Sequence, residues 1–127
     1  MHIDEEEHIM IHYSILLPLV KRVLEQDIQR FEKSSFKVKD PYLHMIQHAL
    51  ERLHKDMHLI KQFMRKHRIR VNFEENDGMF SRYSYVCRGY EGKSSYLNAN
   101  LKRQTRHCMD AYFSRRSPLE ADSILHR

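Results

Sequence analysis

Leu43, Ile46, Leu50, Leu53, Met57, Ile60 and Met64 follow one another at gaps of 3, 4, 3, 4, 3 and 4 residues. That unbroken a/d seam requires a long helix with an apolar surface to lie against. A chain of 127 residues has room for one domain with a real core and not for two full ones. The longest apolar stretch, Ile15-Leu16-Leu17-Pro18-Leu19-Val20, is a third of the roughly 18 residues that a membrane span needs. No span and no membrane partner are therefore expected. The acidic start, Asp4 to Glu7, is the opposite of a signal peptide's basic one, which places the protein in the cytoplasm. Cys87 and Cys108 are then expected to be reduced thiols acting as small apolar fillers, with a disulfide left open until their separation is known.

Around the seam the remaining elements fall into order. Carboxylates from Asp4 suit the positive end of a first helix, along which Ile9, Tyr13, Leu16, Leu17, Val20, Leu24, Ile28 and Phe31 recur at helical spacing. Pro18 lacks a backbone donor and predicts a kink, or two helices meeting there. The stretch 33–39 has no period and reads as a connection. Asp40 is placed to cap the seam helix, with Pro41 at its first position, and the helix runs to about His67. A short connection favours antiparallel packing of the two helices. Ile69, Val71 and Phe73 then alternate with polar residues, Asn76-Asp77-Gly78 signals a turn, and residues 69–90 read as a β-hairpin. A hairpin alone is marginal in water and must find a cover. Leu97, Leu101, Thr105, Cys108 and Tyr112 form one face of a third helix over 95–114. The expected fold is α+β, mainly α: a long antiparallel helix pair, a β-hairpin and a C-terminal helix. Residues 1–116 form a single domain in this reading, and 117–127 a loosely ordered tail.

Lys39-Asp40-Pro41-Tyr42, Met64-Arg65-Lys66-His67, and Cys87-Arg88-Gly89-Tyr90 followed by Tyr96-Leu97-Asn98 carry a likeness across most of the chain. In them the protein resembles small uncharacterised proteins of Bacillus-type bacteria and their mobile elements. The resemblance implies no activity and carries over no catalytic residue.

Ten histidines include three i, i+4 pairs, His8/His12, His44/His48 and His54/His58, a spacing that puts two imidazoles on one helix face. With a fold-back near residue 36, facing positions have numbers summing to roughly 73 in an antiparallel pair. His8 then lies about 16 Å along the helix from His54, too far for a shared centre. His44, His48, His54 and His58 occupy flank and outer positions of the heptad. One combination survives, a surface zinc-type site from His8, His12 and His58.

The net charge of +5 is uneven: −3 over 1–35, +6 over 36–70 and +2 over 71–127. Arg68, Arg70, Arg82 and Arg88 interleave with Tyr83, Tyr85 and Tyr90, a composition suited to phosphates and stacked bases. The competing reading has the tyrosine rings covering the helices, because Tyr83, Tyr85 and Cys87 share one strand face. The acidic start would also lie opposite Arg65, Lys66, Arg68 and Arg70 and neutralise them. Three glycines leave no phosphate-cradling loop, and no nucleophile elbow occurs, so no enzyme and no cofactor are expected. What remains is a small cytoplasmic binding or regulatory protein acting through a protein partner or self-association. Its expected binding surface is Arg68, Arg70, Arg82, Tyr83, Tyr85 and Arg88, with nucleic-acid binding and metal binding as the alternatives.

Overall fold

The computed structural model describes residues 2–122. Two long helices, α1 (Glu5–Glu32) and α2 (Asp40–Lys66), precede three strands, β1 (Ile69–Asn76), β2 (Phe80–Cys87) and β3 (Tyr90–Leu97). Helix α3 (Asn98–Phe113) and a 3-10 turn over Pro118–Asp122 follow. The class is α+β and mainly helical, as the seam and the change of period imply.

Asp4 caps α1 through a reciprocal box: its carboxylate accepts from the Glu7 N–H at 2.8 Å, and Glu7 Oε1 accepts from the Asp4 N–H at 3.1 Å. The helix then runs through Pro18 as a single element rather than as two. The missing Pro18 N–H costs only the bond to the Ser14 carbonyl one turn back. Helix α2 begins one residue earlier than expected, with Lys39 at the cap position and Asp40 as its first helical residue. Asp40 makes no capping bond, although its charge still suits that end.

Of the α2 stripe, Ile46, Leu53 and Ile60 are buried, together with Ala49 and Asp56, whereas Leu43, Leu50, Met57 and Met64 are half-buried. The helix is therefore turned, so that one flank of its seam meets α1 and α3 and the other stays open. Leu17, Val20 and Leu24 of α1, Leu53 of α2, and Leu101, Cys108 and Tyr112 of α3 build this main core. The buried Asp56 carboxylate within it accepts from Tyr112 Oη at 2.7 Å and Ser117 Oγ at 2.6 Å. A second cluster, Ile11 and Ile15 with Ile69, Tyr85 and Cys87, docks the sheet on the N-terminal half of α1.

The sheet is antiparallel in the order β1-β2-β3, one strand more than the hairpin expected over 69–90. The first turn forms as its residues suggest: Gly78 has φ +96°, and Asp77 accepts from the N–H groups of Met79 and Phe80. The second turn has positive φ at both Arg88 and Gly89, the backbone of a two-residue hairpin loop. It returns the chain as β3, whose Glu, Gly, Lys and Ser content conceals a strand. Pairing with β2 supplies what propensity lacks. Gly92 faces Tyr85 across the ladder, and a Cβ there would collide with the Tyr85 ring.

The start of the expected loose tail is part of the core. Leu119 is 2 % exposed, Ser117 bonds Asp56, and the Tyr13 hydroxyl donates to the Pro118 carbonyl at 3.2 Å. Beyond residue 122 that expectation lies outside the described residues. Leu119→Ala should lower unfolding free energy by about 2–4 kcal/mol, the range for truncating a buried leucine. Urea denaturation measures it, and an unchanged midpoint would mean that the segment is loose after all.

Candidate functional site

The six residues expected to form one binding surface are dispersed by the fold. Tyr85 is buried, and its ring meets the His8 ring edge-on at 6.1 Å. Tyr83 is half-buried, with ring centroids 5.4 Å from Phe73 and 6.0 Å from Tyr96. Burial raises the phenol pKa of Tyr83. Arg82 lies on the opposite, outer face of β2 and donates to Glu75 at 2.9 Å and Asp77 at 2.8 Å. Arg68 and Arg70 are exposed. By register the outer face of the sheet mixes Arg70, Arg82 and Lys93 with Glu91, whereas Tyr83 and Tyr85 alternate to the other face.

Arg88 belongs to a buried polar knot. Its guanidinium donates to Glu7 Oε2 and, at 3.0 Å, to the His2 carbonyl. The same Glu7 oxygen accepts from His67 Nδ1 at 3.0 Å and from the Cys87 thiol at 3.1 Å. One carboxylate, fully buried, thus joins the start of α1, the end of α2 and the β2–β3 turn. Burial would raise the Glu7 pKa, but the Asp4 N–H, the Cys87 thiol, His67 and Arg88 overcome it and hold the carboxyl at about 2. The Cys87 thiol is fully buried, and burial and the neighbouring carboxylate push it up to about 11. A thiol so protonated is a poor nucleophile. Cys108 is also free and buried, and burial pushes its thiol up to about 12.

Only Glu7 of the acidic start takes part in an ion pair among the described residues, and its partners are Arg88 and His67. Neutralisation of Arg65, Lys66, Arg68 and Arg70 by Asp4, Glu5 and Glu6 is not what forms. The height was right, since positions 7 and 67 do face each other, but the direction around the helix was not. The same distinction separates the histidines. His8 and His12 turn toward the sheet, where His12 Nδ1 lies 3.2 Å from the Tyr96 hydroxyl. His58 lines a groove on another side. No group of three His, Cys, Asp or Glu suited to a metal exists among the described residues.

That groove is a concavity of about 900 Å³ between the middle of α1, the open flank of α2 and the inner face of β1 and β2. Its walls are apolar, with Leu17, Ile60, Met57, Met64 and Val71 prominent. Arg22, His54, His58 and Lys61 are its basic and imidazole lining, beside Ser14, Asn76 and Ser81, and among the described residues no carboxylate lines it. Ser14 and Pro18 of α1 also line it. Met57 and Met64 of the α2 stripe, half-buried, were the sequence signal for this groove. The spacing of the stripe was legible; which of its positions the partner helix would leave open was not.

The fold and groove define a small helical-hairpin protein with a sheet packed across one end. By sequence, the chain belongs to the YhjD protein family, whose pattern matches residues 2–117. It is 28 % identical over 110 residues to a Bacillus subtilis (strain 168) protein named "Uncharacterized protein YhjD", covering 87 % of this chain and 92 % of that one. No solved structure matches.

The Glu7 knot has a testable acid signature. The folded carboxyl is held below its ordinary value of 4.5, so its contribution is complete above that pH and lost as pH falls toward about 2. Glu7→Gln should cost about 3 kcal/mol near neutral pH, because Arg88 and His67 lose their acceptor charge. It should also flatten the loss of stability between about pH 4.5 and pH 2. Urea melts of both proteins across that range check this, and parallel curves would assign the acid dependence elsewhere.

Proposed function

We propose that this chain is a small, non-enzymatic cytoplasmic binding protein that holds an acidic amphipathic segment of a protein partner in its groove. One observation carries the reading: the groove between α1, α2 and the sheet has apolar walls, four basic or imidazole side chains and, among the described residues, no carboxylate. A partner helix with leucines on one face and glutamates beside them would bury the leucines against Met57, Met64 and Val71. Its carboxylates would meet Arg22 and Lys61 at the rim. Two buried, protonated thiols favour binding over nucleophilic chemistry. The inward turn of Tyr83 and Tyr85 favours a protein partner over a nucleic acid, whose bases need exposed rings to stack on.

The test uses a fluorescein-labelled helical peptide of about four turns, leucine on one face and glutamate on the other. Its anisotropy should rise on titration with the full chain, while a lysine-faced version of the peptide should not bind. Arg22→Glu with Lys61→Glu should weaken binding at least about tenfold, or ~1.4 kcal/mol. Both side chains are exposed, so thermal melts of the variant should match the parent. Equal binding by the variant, or by the lysine-faced peptide, would remove the groove from consideration.

A further inference from the structure

The end of the helical hairpin is only partly covered, Ile28 and Phe31 being half-buried against the main core. Between Leu24 and Ile46, the last buried residues of α1 and α2 on that side, no residue of 25–45 is buried. The final eight residues of α1 alone extend about 12 Å at 1.5 Å per residue. Yet this overhang is not polar. Phe31, Phe36 and Tyr42 gather into an aromatic cluster, with centroids of 5.5 Å between Phe31 and Tyr42 and 5.9 Å between Phe31 and Phe36. Phe36 is 60 % exposed, Val38 67 %, Tyr42 50 % and Met45 52 %. Tyr42 and Met45, three residues apart, share one face of α2. Lys33, Lys37 and Lys39 stand in the loop 33–39, which holds no carboxylate, with Glu32 and Asp40 flanking it, and the Lys39 amine folds back to the Glu32 carbonyl at 2.8 Å.

We propose that this tip docks on the surface of an anionic lipid bilayer. Aromatic rings with lysines beside them match the membrane–water interface, where rings sit at headgroup depth and lysines reach anionic phosphates. The shape selects the same occupant. The tip is a projecting end rather than a cleft, and a bilayer yields to a projecting apolar end where a folded protein needs a matching pocket. A second copy of the tip is disfavoured, since the apex 33–39 carries three lysines and no carboxylate and would meet its own like charges. The absence of a spanning segment, which led to the expectation of no membrane contact, concerns a different mode of attachment. The groove lies toward the sheet and remains open when the tip is seated.

The chain contains no tryptophan, so Phe36→Trp installs a single fluorescent reporter at an exposed position. With vesicles of mixed phosphatidylglycerol and phosphatidylcholine at low salt, its emission should shift to the blue, and brominated lipid should quench it. Pure phosphatidylcholine should give little of either. Neutralising one lysine to glutamine should weaken vesicle binding about fivefold, and neutralising Lys33, Lys37 and Lys39 together on the order of a hundredfold. Phe36→Ser with Val38→Ser should also weaken sedimentation with the vesicles, with thermal melts unchanged because neither side chain is in the core. No binding to anionic vesicles overturns the proposal. So does binding in which the reporter stays in water, or which the tip variants retain, since the basic block around Arg65 to Arg70 would then be responsible.

Discussion

The fold turns on a single buried carboxylate. One oxygen of Glu7 completes the cap of α1, while the other gathers Arg88, His67 and the Cys87 thiol. A buried charge is tolerated only when every lone pair has a donor, so the donors are held as firmly as the charge. Those donors come from the end of α2 and from the β2–β3 turn. The Arg88 N–H also bonds the Arg68 carbonyl at 3.2 Å, tying that turn to the entry of β1. Both arginines have positive φ, a conformation that side-chain residues adopt at some cost, and the knot holds one of them directly. Sheet and helical hairpin are thereby fixed to each other at one end.

From that fixed end, the two long helices diverge in what covers them. Near the knot, the sheet packs on Ile11 and Ile15. In the middle, α3 and the segment to Leu119 complete the main core, with Asp56 satisfied by Tyr112 and Ser117. At the far end no residue of 25–45 is fully buried, and Phe36, Val38, Tyr42 and Met45 stay exposed. The sheet packs on α1 without closing against the open flank of α2, and the space left between them is the basic-lined groove. The groove and the tip are thus both consequences of three small elements sharing a helical hairpin longer than they can wrap.

How much of this was readable from the residues depends on the range of the interaction concerned. The α2 seam, the acidic start of α1 and the Asn76-Asp77-Gly78 turn are local patterns and appear where their chemistry places them. Strand β3 was not legible: its residues have little strand propensity, and its existence depends on the Arg88-Gly89 turn and on β2 as a template. Arg88 read as a surface cation because arginine usually is one, and only the approach of Glu7 from 81 positions away makes it internal. The capping spacing from Asp4 to Glu7 was present in the sequence, but it signalled only half of what Glu7 does.

Sequence alone determined the periodic elements, their order and the antiparallel return of α2 along α1, because hydrophobic spacing and turn chemistry act within a few residues. It also set the height at which residues of the two helices meet, as the pairing of Glu7 with His67 shows. Tertiary structure decided the direction each face points around the helix axis. That rotation separated His12 from His58, turned Tyr85 inward and left Met57 and Met64 half open. It is settled by packing three elements at once against the same two helices, a constraint that no single stretch of residues contains.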